Sequence, residues 1–124
     1  MNIVVVGGGS TYTPELINGL IARHATLNVR TVRLVDPDED RLRIVGSFAQ
    51  RMVSHAGAGF QVELFVDRRR ALEDADYVIT QFRVGGQQAR HNDELLGRRH
   101  HLVGQETTGV GGFAKALRTI PVVL

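Results

Sequence analysis

The chain predicts an α/β fold: a parallel sheet wound in βαβ order, with helices covering it. Three observations carry that expectation. Ile3 to Val6 is continuously apolar rather than alternating, the pattern of a strand buried on both faces. Apolar runs of strand length then alternate with stretches at helical spacing. A glycine triplet, Gly7-Gly8-Gly9, separates the first strand from the first helical stretch.

The elements follow in order. Ile3 to Val6 is the first strand. Thr13 and Pro14 read as a helix start, a capping hydroxyl followed by proline at the first helical position. Leu16, Ile17, Leu20 and Ile21 continue at helical spacing to about Arg23. Tyr12, bulky at the entry, is expected to push this helix slightly off the sheet. Val29 to Val35 is a second strand, closed by Asp36-Pro37, where proline keeps the preceding residue extended. Asp38 to about His55 is a second helix, with Leu42, Val45, Phe48, Ala49 and Met52 on its apolar face, ended by Gly57-Ala58-Gly59. "FQVELFV", Phe60 to Val66, alternates as a third strand. A short helix around Arg70 to Glu73 leads into a fourth, "DYVITQF". "RVGGQQAR" then turns into a helix through about Arg99. "GQETTGVGGF" reads as a loop, and a last helix begins at Ala114. The sum is a Rossmann-like sheet of about four strands. A complete doubly wound fold has six, so the expectation is a single incomplete doubly wound domain over 1–124. It is read as the front of a longer protein, or as a piece whose open edge is covered in a homo-oligomer.

Composition narrows the function. The chain has 124 residues, enough for a core, and a net charge of +2 with acids and bases interleaved. Asp36, Asp38, Glu39 and Asp40 precede Arg41 and Arg43, so no basic face for nucleic acid is expected. No apolar run is long enough for a membrane helix, and no membrane partner is expected. Cysteine is absent, which removes disulfides and thiolate metal sites. Cytoplasm is the expected location.

The glycine triplet has a physical use. A glycine turn after the first strand lets backbone N–H groups approach a diphosphate, and the next helix points its positive end at the same charge. Gly7 and Gly9 match two positions of G-x-G-x-x-G, and Tyr12 replaces the third glycine. Ser10 and Thr11 add hydroxyls that reach phosphate or cap the helix. Asp36 ends the second strand, where a carboxylate accepts from the adenosine 2′-hydroxyl and repels a 2′-phosphate, favouring NAD over NADP. The alternative for Asp36 is capping of the helix that starts near Asp38.

After the fourth strand, "TQFRVGGQQARHNDE" lies at the carboxyl edge, where cofactor and substrate meet in such folds. Arg83, read with the cofactor, and Arg90, read with the substrate, carry guanidinium groups suited to phosphate. The alternative is surface pairing with Asp93 or Glu94. The five histidines show no i, i+4 ligand spacing, and no Ser-His-Asp set or glycosidase carboxylate pair stands out. No catalytic residue and no metal ligand is assigned within the chain.

Together, "GGGSTYTPEL", "TQFRVGG", "AR..DE" and "GQETTGVGGFAKALRTIP" resemble glycoside hydrolase family 4, in particular its 6-phospho-β-glucosidase branch, from Ile3 to the last residue. The Gly104–Gly112 stretch is the most specific of these. The resemblance implies a glycosidase outside the two-carboxylate scheme. NAD⁺ takes a hydride from C3 of a 6-phosphoglycoside, a base removes the C2 proton, the aglycone is eliminated, water adds and the hydride returns. A divalent metal, usually manganese, polarises the C2 and C3 oxygens. A phosphorylated disaccharide or glycoside is the implied substrate. Gly7, Gly9, Ser10 and Asp36 match the family's NAD segment, and Arg90 its substrate-binding arginine. The family's Cys and His metal ligands and tyrosine base have no counterpart among these residues, so the stretch alone is expected to be inactive. Gly97-Arg98-Arg99-His100 and Gly109-Val110-Gly111-Gly112 depart from the family wording, the second loosening a turn. The alternatives are a dehydrogenase of a small hydroxy acid or sugar phosphate, and a non-catalytic NAD-binding module.

Overall fold

Four short strands form one parallel sheet in the order β3-β2-β1-β4. The computed structural model describes residues 1–124. The elements are β1 (Asn2–Val6), α1 (Thr13–Leu27), β2 (Thr31–Val35), α2 (Glu39–Ala56), β3 (Gln61–Phe65), α3 (Arg68–Leu72), β4 (Tyr77–Thr80), α4 (Gly86–Arg99) and α5 (Gly109–Val123). They fall into two compact units, Met1–Phe82 and Arg83–Leu124. The first holds the sheet with α1, α2 and α3, and the second holds α4 and α5.

In the first unit, strand parity decides what each side chain meets. Ile3 and Val5 of β1, Val32 and Leu34 of β2 and Val62 of β3 point to one face. There they pack with Ile17 and Leu20 of α1 and Leu42, Ala49 and Val53 of α2. Ile17, Leu34, Val5 and Val32 are fully buried, each contributing about 1.5–3 kcal/mol by burial. The other face packs Val4 and Val35 against Ala71 of α3. Arg33 stands on this second face, directly across from Glu63 in register, and pairs with it at 3.3 Å. Its guanidinium also donates to the carbonyls of Ala71 and Glu73 and lies 5.9 Å from the Phe65 ring centroid, so one side chain fastens β2 to α3 and β3.

The expected order and the four parallel strands are present, a Rossmann-like half-sheet. Several local readings change. Thr13 does not cap α1. Tyr12 is the N-cap residue, without a side-chain cap bond, and Thr13 begins the helix with its hydroxyl turned inward. Tyr12 is 70% exposed and does not displace α1, whose Ile17 is fully buried. On α2 the buried line is Leu42, Gly46, Ala49 and Val53, while Phe48 is 44% exposed. Gly46 lies in that line, and the Leu64 side chain fills the space where a Cβ at 46 would stand.

In the second unit, α5 starts at Gly109 rather than Ala114. Glycine is a poor helix former, yet close packing demands it here. A Cβ on Gly111 would strike the Gln105 carbonyl and stand 2.9 Å from that of Asp93, and one on Gly112 would stand 2.7 Å from the Thr107 carbonyl carbon. The Gly109–Gly112 stretch is therefore the first turn of a helix and not a loosened turn. α4 runs unbroken through Gly97 and ends at Arg99, where His100 and Leu102 both return their N–H groups to the Gly97 carbonyl. No helix is long and apolar enough to cross a membrane.

Leu34 lies under both the sheet core and the glycine turn. Leu34→Ala is expected to destabilise the first unit by about 2–5 kcal/mol, read as a lower urea midpoint with an unchanged slope.

Candidate functional site

The first cluster forms where β1, β2 and β4 end. The order β2-β1-β4 reverses direction at β1, and in open α/β sheets the crevice at such a point takes the ligand. The chain leaves β1 into Gly7, whose φ is +92°, a conformation glycine adopts freely. The N–H groups of Gly7 and Gly8 both donate to the Val35 carbonyl at 2.8 Å, and the Ser10 N–H donates to the Gly7 carbonyl at 3.0 Å. Side chains are barred here by the protein itself. A Cβ on Gly8 would stand 2.7 Å from Leu34 Cβ, and one on Gly7 2.8 Å from the Gln81 carbonyl oxygen. The three glycines are buried, and the exposed part of the turn is Thr11 and Tyr12, with Ser10 half-buried.

Asp36 is bound into this turn. Its Oδ2 accepts from the Gly9 N–H at 3.0 Å and its Oδ1 from the Asp38 N–H at 3.0 Å. Capping of α2 falls instead to Asp38, which accepts from the Arg41 N–H. A carboxylate has about four lone-pair sites, so Asp36 keeps acceptor capacity after these two bonds. The structure thus brings Gly7, Gly8, Gly9, Ser10, Thr11 and Asp36 together, but with the glycine N–H groups engaged inside the protein. The donors left toward solvent belong to the helix entry. α1 has proline in its first turn and no side-chain cap; the Thr13 N–H donates to the Ser10 carbonyl and the Leu16 N–H to the Tyr12 carbonyl, so what the helix entry offers an anion is its positive end.

The second cluster belongs to the second unit. Arg83 directs both terminal nitrogens at the Glu106 carboxylate, Nη1 to Oε2 and Nη2 to Oε1 at 3.3 Å. Arg90 donates from Nε to Glu94 at 2.9 Å and stands 3.7 Å from Glu106. Arg90 therefore has the expected helical partner, but Asp93 does not pair with either arginine. Asp93 is buried and receives both terminal nitrogens of Arg118 at 3.1 and 2.7 Å, while Arg118 Nε donates to the Val84 carbonyl at 2.9 Å. The Arg118 hydrogen bond holds the Asp93 carboxyl below its ordinary range against the opposing effect of burial, with the charges of Arg118, Lys115 and Arg83 adding to it. Arg83, Arg90 and Glu106 are thus joined around one carboxylate.

Sequence reasoning missed Glu106, Arg118, Gln81 and the inward role of Thr13. For Glu106 a signal existed, a lone acid inside a glycine-rich loop in a segment rich in arginine. Metal is a different matter: no group of three or more His, Cys, Asp or Glu side chains could hold an ion. The chain's own residues do not fit the divalent metal that the family resemblance implies.

A sequence model described as family 4 glycosyl hydrolase matches residues 2–124. The chain belongs to family 4 of the glycosyl hydrolases. This family 4 chain is 54% identical over 126 residues to a probable 6-phospho-beta-glucosidase of Bacillus subtilis, across 100% of its own length and 28% of that protein. It is 46% identical over 125 residues to the 6-phospho-beta-glucosidase of Escherichia coli, across 99% of its length and 28% of the relative. Its structure matches the 6-phospho-beta glucosidase of Thermotoga maritima, solved with manganese, NAD⁺ and glucose-6-phosphate, at a TM-score of 0.90 and 46% identity, over 99% of this chain and 29% of that one. A 6-phospho-alpha-glucosidase from gut microorganisms, in complex with NAD and Mn²⁺, matches at a TM-score of 0.90 and 31% identity, over 98% of this chain and 28% of that one. The chain therefore spans little more than a quarter of the length of these relatives.

The Asp93–Arg118 pair sets an acid dependence. Because the folded carboxyl sits below its ordinary value of 3.8, its stabilising effect is present above the unfolded pKa of about 3.9 and is lost as pH falls through the folded value. Chemical unfolding of the α4–α5 unit is expected to grow easier on acidification below about pH 4. Asp93→Asn should lower stability at neutral pH and flatten that acid decline.

Proposed function

We propose that residues 1–124 are the dinucleotide-binding region of an NAD-dependent 6-phospho-β-glucosidase acting on phosphorylated glycosides. Its observed basis is the uncapped N-terminus of α1 beside the glycine turn at the sheet's switch point, with Asp36 at the end of β2. The family membership and the relatives' names support the same reading.

The residues at the turn fit this cofactor. Gly7, Gly8 and Gly9 keep the turn low enough for a diphosphate to reach the helix end. Ser10 and Thr11 offer hydroxyl donors, and the first turn of α1 offers positive potential. Asp36, already oriented by two backbone N–H groups, accepts from the adenosine ribose and repels a 2′-phosphate. Bound NAD⁺ supplies reversible hydride acceptance, so that it is not consumed over a hydrolytic cycle. Arg83 is assigned to the cofactor and Arg90 to the substrate. Arg90 is 44% exposed while its Nε is held by Glu94, which leaves a terminal face of the guanidinium for a sugar phosphate. Binding at that phosphate is remote from the scissile bond and supplies energy for positioning. In proteins of the relatives' length, the base and the metal ligands are assigned to residues outside this stretch.

Calorimetry on the chain tests the reading. NAD⁺ is expected to bind at least about tenfold more tightly than NADP⁺, and Asp36→Ala is expected to weaken NAD⁺ and erase the preference. Equal binding of both dinucleotides by the unaltered chain, or binding of neither, would sink the assignment. In a polypeptide of the relatives' length, hydrolysis of a 6-phospho-β-glucoside should stop when NAD is stripped. Steady build-up of NADH during turnover would instead identify a net dehydrogenase.

A further inference from the structure

Thr13 is fully buried, one of only two buried polar side chains in the chain, and no cap requires it. Its Oγ1 donates to the Gly8 carbonyl at 2.8 Å and accepts from Gln81 Nε2 at 2.6 Å. The same Gln81 nitrogen donates to the Gly7 carbonyl at 3.3 Å. The two N–H bonds of the Gln81 amide are thus both used. Its lone-pair partner on Thr13 also directs the threonine proton at Gly8, giving a relay N–H···O–H···O=C in which each bond polarises the next.

The relay acts on two peptide planes whose N–H groups are held by Val35 and Asp36, and it holds their carbonyls. Glycine peptides reorient easily. The Gly7–Gly8 plane is held at its N–H by the Val35 carbonyl and at its carbonyl by Gln81 and the Ser10 N–H. The Gly8–Gly9 plane is held at its N–H by Asp36 and at its carbonyl by Thr13. A rotated Gly8–Gly9 plane would set a carbonyl oxygen against the Asp36 carboxylate and free that carboxylate from the turn that leads into Ser10 and Thr11.

We propose that Thr13 and Gln81 are positioning residues of the dinucleotide site. Through this buried relay they orient the glycine peptides so that the Ser10 and Thr11 hydroxyls and the positive end of α1 face a diphosphate. The proposal rests on the dinucleotide reading of the turn, and the probes below separate the two.

The test compares ADP, which carries a diphosphate, with adenosine, which carries none, on the chain and on Thr13→Val, Thr13→Ser and Gln81→Met. Thr13→Val keeps the shape and removes the hydroxyl, whereas Thr13→Ser keeps the hydroxyl. Thr13→Val and Gln81→Met are expected to weaken ADP about tenfold while leaving adenosine within about twofold, as followed by NMR titration. Thr13→Ser is expected to bind ADP like the unaltered chain. Unchanged ADP affinity in both relay variants, or parallel loss of ADP and adenosine, would overturn the positioning role. Should Thr13→Val fail to fold, Gln81→Met against Thr13→Ser decides by the same criterion. An unaltered chain that binds neither ADP nor NAD⁺ would overturn the dinucleotide reading and the relay's role with it.

Discussion

The Val35 carbonyl carries the turn on which the first unit's site depends. It is the last residue of β2, and it accepts from both Gly7 and Gly8 at 2.8 Å. Two consecutive N–H groups can reach one carbonyl only where the backbone lies almost against the neighbouring strand. A Cβ at position 8 would sit 2.9 Å from the Val35 nitrogen, so that approach requires glycine. From this contact the rest follows. The chain turns sharply off β1, α1 begins low over the sheet, and Ile17 and Leu20 reach the core that a more open turn would deny them. The same proximity brings Asp36, one residue beyond Val35, to the Gly9 N–H. A recognition carboxylate and a ligand-facing loop are therefore consequences of a single packing constraint.

The two units use the same device with different chemistry. Each has one buried polar side chain, and each such side chain organises a glycine-rich connection. Thr13 works through neutral hydrogen bonds to the Gly7–Gly9 turn. Asp93 works through a forked ion pair with Arg118, tying α4 to α5, while the Asp93 and Glu94 carbonyls press close to Gly111 and Gly104. Glycine gives these connections close approach but no rigidity of its own. A buried, fully satisfied polar group supplies that rigidity, since its alternatives would leave a donor or acceptor unpaired. No buried side-chain polar atom lacks a partner, which is the condition under which such groups order a loop and do not destabilise it.

Much of the first unit was legible in the residues. The continuous run Ile3–Val6, the Asp36-Pro37 stop and the alternation of Phe60–Val66 carry period and punctuation, and these depend on local sterics. Contacts across the chain were less legible. Phe48 has the right spacing and hydrophobicity for the α2 face yet is 44% exposed, whereas Gly46 is buried with Leu64 of β3 in the space of its missing Cβ. Thr13 next to Pro14 has the wording of a cap, yet Gln81, sixty-eight residues away in sequence, draws its hydroxyl inward. The early start of α5 through Gly109–Gly112 contradicts helix propensity, and the carbonyls packed against Gly111 and Gly112 account for the glycines at those two positions. Helical spacing found Glu94 for Arg90, but Asp93 and Arg118 are separated by 25 positions, so no local pattern could pair them.

Helix capping separates the ends that serve the fold from the end assigned to a ligand. α2 and α3 both begin with aspartate, and Asp38 and Asp67 accept from backbone N–H groups at 3.0 and 2.8 Å. α1 is a longer helix than α3 and has no such bond at its N-cap. A good N-cap is worth about 0.5–2 kcal/mol, and a serine and two threonines lie within reach of the α1 entry in sequence. Thr13 is instead committed to the Gly8 carbonyl, and Ser10 Oγ accepts from the Tyr12 N–H at 3.2 Å, one residue ahead of the helix. Side chains able to cap are thus spent on shaping the approach to α1, and the helix end carries no side-chain acceptor. That arrangement costs stability in a unit with no evident shortage of capping residues, and it is the pattern expected where the missing acceptor is an anion that arrives from outside.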